Sequence, residues 1–182
     1  MQDLPTLTTE RLVLRPFALS DAADVQRLAG DGAVADTTLN IPHPYPDGAA
    51  GQWISSHEGC FQRREIMVLA ITLRASGELA GCISLRLNDT HSRAEMGYWM
   101  GVPYWNQGYC SEAARAVIAY GFEQMALNRI FAHHLTRNPA SGRVMQKAGM
   151  AYEGMLRQHA KKLERYDDLA IYGILRSEYQ NQ

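Results

Sequence analysis

The 182-residue sequence predicts a mixed α/β fold: a central sheet, largely antiparallel at first, with helices on both faces. Three observations carry this. Strand-like runs either alternate apolar and polar residues, as in "RLVLRPF" (11–17), or are short and continuously apolar, as in "IMVLAITL" (66–73). Between them, helical stretches repeat apolar residues at spacings of three and four, as at Ala114, Val117, Ile118, Gly121, Phe122 and Met125. The order is strand, helices, three strands, helix, strand, helix and two strands. No internal repeat, low-complexity run or linker interrupts it, so 1–182 reads as one domain.

Each element has a local reason. After the first strand, "SDAADVQRLAG" reads as a helix with Ser20 at its N-cap and Gly30 at its stop. Residues 31–51 hold three of the seven prolines and read as loop with a short helix, followed by a helix over "QWISSHEGCFQRR". Strands are expected at 66–73, 80–87, 94–100 and 129–135, with turns at "RASGE" (74–78) and "NDTHSR" (88–93). A helix from about Ser111 to Met125 precedes the last of these. A shorter one follows it, with Asn138 as cap, Pro139 at its first position and Gly149 at its end. Strands near 152–156 and 167–175 close the chain.

Composition narrows the function. Net charge is -1, so no basic face points to nucleic acid. No apolar run approaches the roughly 20 residues of a membrane span, and the acidic, proline-containing start does not read as a signal peptide. Three scattered cysteines, Cys60, Cys82 and Cys110, fit a reduced cytoplasmic chain better than a disulfide framework or a zinc site. His133 and His134 are neighbours on a strand, so they face opposite ways and cannot share a metal.

The stretch "WNQGYCSEAA" (105–114) carries the chemistry. It joins a strand to a long helix, whose first N–H groups and partial positive charge suit an anion, and Gly108 lets a ligand approach the backbone. Neither GxxxxGK[ST] nor GxGxxG occurs. Glu112 cuts both ways: it suits the helix dipole, and it repels a diphosphate unless its side chain turns away.

Residues 94–157, with "GYW", the Gly108 loop followed by "SEA", "NRI", "NPAS" and "EGMLR" in order, resemble the GNAT superfamily of acyl-CoA N-acetyltransferases. "TERLVLRPFALSDAADV" (9–25) and "YDDLAIYGILRSEY" (166–179) are similar to the opening and close of its RimJ/RimL branch, which acetylates ribosomal-protein N-termini. The resemblance implies a sheet splayed between 94–100 and 129–135, with acetyl-CoA as co-substrate and no metal. It implies that backbone N–H groups of Gln107, Gly108, Tyr109, Cys110 and Ser111 hold the diphosphate, that Met100 and Val102 pair with the pantetheine arm, and that the Met100 N–H serves the oxyanion. Asn138 is either a helix cap, a pantetheine contact or both, and Lys147 is an expected CoA-phosphate contact, with Arg143 on the same helix face. Trp105 and Cys110 depart from the usual loop residues, and Cys110 lacks a base that would make it a nucleophile. Met145 stands where many superfamily members carry a proton-donating tyrosine, and the resemblance transfers that role to Ser141.

Attack by a neutral amine on a thioester needs a base. Glu95 matches an acidic position that serves in some superfamily members. It lies five residues from Met100, about 16 Å along an extended strand, so it would act through ordered water; it reads equally as a structural ion pair. His43 and His159 are the other titratable candidates. Tyr45, Trp53 and Trp99 read equally as walls of the acceptor site or as core, and Asp168 and Glu95 are expected to attract a cationic amine. A protein N-terminus, a polyamine and an aminoglycoside all fit this expectation. A non-catalytic acyl-CoA-binding module is the alternative, and a homodimer is suggested by resemblance alone.

Overall fold

The computed structural model describes residues 3–162 and 164–180. Strands β1 (Leu7–Thr8), β2 (Leu12–Arg15), β3 (Ile66–Leu73), β4 (Leu79–Asn88), β5 (Arg93–Met100), β6 (Arg129–Leu135), β7 (Ala151–Lys162) and β8 (Arg165–Leu175) form one sheet in the order β1-β2-β3-β4-β5-β6-β8-β7. Helices are α1 (Ala22–Ala29), α2 (Gly32–Thr37), α3 (Ala49–Ser55), α4 (His57–Gln62), α5 (Tyr109–Glu123), α6 (Pro139–Lys147) and α7 (Arg176–Tyr179).

Among the described residues all strand pairings are antiparallel except that of β5 with β6. That parallel pair is registered only at Arg93↔Arg129, Ala94↔Ile130 and Glu95↔Phe131. The strands then continue to Met100 and Leu135 with each held by its outer partner: Met100 lies opposite Gly81 of β4, and Leu135 opposite Leu169 of β8. The expected splay is therefore present.

Strand alternation sends side chains to two covered faces. Ala94, Met96 and Met100 meet Ala113, Val117 and Ile118 of α5 and Met145 of α6 in one core. Ala70 and Leu79 meet Val25, Leu28 and Ala29 of α1 and Ala50 and Ile54 of α3 in the other, against which Tyr45, Trp53 and Trp99 pack.

Three local expectations need correction. Ser20 is not an N-cap. Residues 19–21 form a 3-10 turn, because the Asp21 carboxylate accepts from the Ala18 N–H at 2.8 Å and from both arms of Arg15 at 2.8 and 2.9 Å. The helix expected over 52–64 is two helices meeting at Ser56. β7 is longer than expected, since it follows β8 to Lys162 through two irregularities in register. The two-residue β1 is also new; it pairs with β2 at Leu7↔Leu14 and Thr8↔Val13.

His57 is the most unusual polar group in the second face. It is 4% exposed, its ring packs edge-on to Phe17 at 5.5 Å and Trp53 at 4.4 Å, and neither ring nitrogen has a hydrogen-bond partner. Loss of hydration pushes its pKa down to about 4. The unfolded chain therefore takes up this proton first as pH falls, so stability present above about pH 6.5 is lost between 6.5 and 4 and no further below. Thermal melts of the wild type and His57→Phe at pH 7 and pH 5 check this. The wild type is expected to lose more melting temperature across that interval, by on the order of 5 °C; equal losses would contradict it.

Candidate active site

A cleft of ≈ 720 Å³ opens where β5 and β6 part. Its walls come from both faces of the sheet: the start of α5 and the first turns of α6 on one, the 37–46 segment and Trp53 on the other.

The α5 end begins at Gly108, with φ +81° and ψ -1°. That left-handed conformation costs an L-residue about 1–2 kcal/mol and glycine almost nothing. Glu112 does not face the cleft as a bare charge. Its carboxylate accepts from Thr9 Oγ1 at 2.6 Å, the Arg11 N–H at 2.9 Å and Arg11 Nε at 2.7 Å, and these donors hold its pKa below the usual carboxylate range against the opposing cost of lost hydration. Arg11 Nη1 also donates to the Gln107 carbonyl at 2.9 Å, and its guanidinium lies 4.7 Å from the Tyr109 ring centre. In a trans peptide the carbonyl and the next N–H point in opposite directions. Holding the Gln107 oxygen on the Arg11 side therefore turns the Gly108 N–H away from Arg11.

Of the expected cofactor residues, Met100, Gly108, Tyr109, Cys110, Ser111, Asn138 and Lys147 line the cleft, as does Arg143. Val102 and Gln107 do not. Val102 opens a 3-10 turn and is 36% exposed, with its carbonyl accepting from the Trp105 N–H at 3.2 Å. Gln107 donates through Nε2 to the Pro103 carbonyl at 2.8 Å. Loss of hydration pushes the Cys110 pKa up to about 12, which keeps it a thiol rather than a nucleophile.

At the strand end, the Gly101 N–H donates to the Ala80 carbonyl at 2.8 Å, so residue 101 faces β4. Alternation along an antiparallel strand then directs the Met100 N–H away from β4, toward the gap. The Met100 carbonyl, on the same side, accepts from Trp105 Nε1 at 2.7 Å.

Ser141 lies in the first turn of α6. Asn138 caps that helix, its Oδ1 accepting from the Ser141 N–H at 3.4 Å, while its Nδ2 donates to the Thr37 carbonyl at 3.3 Å. The Ser141 hydroxyl is 2.8 Å from the Tyr98 hydroxyl, and Tyr98 also donates to the Ser141 carbonyl at 3.0 Å. Tyr98 thus bridges β5 and α6 across the splay. Its loss of hydration raises its pKa well above the ordinary tyrosine value. Sequence reasoning missed it, although the "GYW" motif and strand alternation put it on the α6 side.

On the opposite face, Glu95 Oε1 lies 3.4 Å from His133 Nδ1, and both line the cleft. Arg86 stands opposite Glu95 in the β4–β5 register. His43 and His159 lie outside the lining. His43 Nδ1 is 3.1 Å from the Gly30 carbonyl, and His159 is exposed on β7. Asp168 is also outside it, accepting instead from the Gln158 N–H at 2.6 Å. Tyr45, Trp53 and Trp99 do line it.

The 37–46 wall is fastened by groups the sequence did not single out. Lys162 donates to the carbonyls of Ala35, Thr38 and Ile41, the last at 3.2 Å. Arg137 donates to the Asp36 carboxylate at 2.7 Å, the Asp36 carbonyl at 2.6 Å and Asp167 at 3.0 Å. Such long-range pairs carry no periodicity or spacing from which they could be read.

Among the described residues no helix is long and apolar enough to cross a membrane, and no group of three or more His, Cys, Asp or Glu could hold a metal.

Comparison with known proteins gives this geometry a family. Residues 11–151 match the acetyltransferase (GNAT) domain model. An uncharacterized N-acetyltransferase, p20 of Bacillus licheniformis, is 31% identical over 97% of this chain and 99% of its own. The ribosomal-protein-serine acetyltransferase of Escherichia coli is 33% identical over 52% of this chain and 54% of its own. The crystal structure of a GNAT-family acetyltransferase from Bacillus anthracis superposes with a TM-score of 0.85 at 27% identity, covering 95% of this chain and 99% of that one. With the splayed pair, the glycine-started helix and the match over most of its length, the chain belongs to the GNAT family of acetyltransferases, which use acetyl-CoA.

Proposed function

We propose that residues 1–182 act as one domain that transfers the acetyl group of acetyl-CoA directly to a primary amine. The observation that carries this is the gap beyond Glu95 and Phe131, which joins a helix start suited to phosphate to a strand end with a free-facing N–H. The chain's own residues fit the co-substrate. Among the described residues only the Arg11 guanidinium, 3.4 Å away, would meet a Cβ at Gly108, so the backbone there is open to close approach. Arg143 and Lys147 add positive charge to the same cleft.

Acetyl-CoA supplies a thioester carbon for the amine to attack and a thiolate as leaving group. The N–H groups of Gly108 to Ser111 hold the diphosphate at the positive end of α5. The Met100 N–H donates to the carbonyl oxygen as charge gathers there. The Ser141 hydroxyl gives its proton to the departing sulfur, while the Tyr98 hydroxyl, 2.8 Å from it and hydrogen-bonded to the Ser141 carbonyl, holds that residue in place. Glu95, paired with His133, takes the amine proton through water. Likeness to the Escherichia coli ribosomal-protein-serine enzyme over half the chain supports a primary amine as acceptor.

Two variants test this. Gly108→Trp is expected to weaken CoA binding by about 100-fold in calorimetry while the melting temperature stays within a few degrees, because the side chain fills the cradle at an exposed site. Unchanged affinity would remove the cradle. Ser141→Ala is expected to lower kcat by on the order of 10²-fold with little change in KM for acetyl-CoA, measured by thiol release. Weakened binding with unchanged kcat would make the hydroxyl a ligand contact and not the proton donor.

A further inference from the structure

The acceptor half of the cleft is unlike a site for a polycation. Among the described residues Glu95 is the one carboxylate in the lining, and Arg86 stands across from it in the strand register. The remaining charged lining groups, Arg143 and Lys147, are cationic. Every ammonium taken out of water needs an anionic or hydrogen-bonding partner, and an unpaired one is strongly disfavoured. A spermidine- or aminoglycoside-like acceptor brings several ammonium groups to a wall that offers one carboxylate.

What the wall offers instead is apolar surface. Ile41, Tyr45, Trp53 and Trp99, all partly exposed, line the acceptor side. Gly97 sits between Glu95 and Trp99 on the same strand face, opposite Ser84, so no side chain of β5 fills the floor between carboxylate and indole. Lys162 and Arg137 fasten the segment carrying Ile41, so the wall is preformed rather than assembled by a ligand.

We propose that the acceptor is a singly charged amine on an apolar body of aromatic size. This rests on the acetyltransferase reading above and names the substrate class for the same cleft. Glu95 and His133 serve the single amine, and the aromatic wall takes the body. The reaction itself is unchanged: the ammonium first gives one proton to the base through water, the neutral nitrogen bonds to the acetyl carbon, the carbon–sulfur bond breaks, and the nitrogen loses a second proton as the sulfur gains one.

Thiol release by the full chain with acetyl-CoA tests this, using phenethylamine and tryptamine against spermidine, kanamycin and a serine-initiated octapeptide. The arylalkylamines are expected to show kcat/KM at least 10-fold above the other three. Trp53→Ala is expected to raise KM for phenethylamine about 10-fold without moving KM for acetyl-CoA. Since Trp53 also packs on His57, a second variant guards against simple unfolding. Ile41→Asp adds a second carboxylate to a partly exposed wall and is expected to raise kcat/KM for spermidine relative to phenethylamine. Equal or better turnover of spermidine, kanamycin or the peptide by the wild type overturns the proposal. So does absence of arylalkylamine turnover when calorimetry shows CoA bound. If the wild type binds no CoA, the cleft reading itself fails and takes this inference with it.

Discussion

Parallel strands β5 and β6 share three registered residue pairs and then separate, and the site follows from that separation. Each is committed elsewhere along its whole length, β5 to β4 and β6 to β8, so neither frays when the two part. Backbone polar groups inside a protein must find partners. A strand side left facing a gap is thus a prepared place for a ligand that can hydrogen-bond like a strand. The Met100 N–H faces that gap because Gly101 is tied to Ala80 on the other side.

Packing keeps the gap open. Helix α6 lies tightly on β6 at Gly142, where an added Cβ would come 2.8 Å from His134 Nε2. That contact sets the first turn of α6 beside the gap and brings Ser141 within hydrogen-bond reach of Tyr98. At the other end, the Thr9–Arg11–Glu112 cluster ties the β1–β2 connection to the first turn of α5. It neutralises the one acid that would oppose an anion there. The stabilising contacts and the functional geometry are therefore the same contacts at both ends of the cleft.

Much of this was legible in the sequence, and the reasons differ by element. The strands at 66–73 and 129–135 match their expected limits because continuous apolar runs between turn residues leave little choice. Asn138 and Pro139 announce α6 because a cap and a missing N–H act locally. Ser20 misled, since Asp21 offers a carboxylate to Arg15 and Ala18 together and so moves the helix start. The Glu95–His133 and Tyr98–Ser141 pairs were invisible because each joins residues 38 or more positions apart through tertiary approach. The place of Asp168 outside the cleft lining was hidden for a similar reason: its partner, the Gln158 N–H, is fixed by the β7–β8 irregularity and not by any motif.

The central claim is that the outward backbone of Met100 and the opening turn of α5 take up acetyl-CoA together. Amide hydrogen exchange resolved to single residues, with and without acetyl-CoA, tests it most directly. The account predicts that the Met100 amide and those of Gly108 to Ser111 become protected while amides in β2 and β3 do not change. Protection confined to other segments, with Met100 and the Gly108 turn exchanging as before, would contradict it.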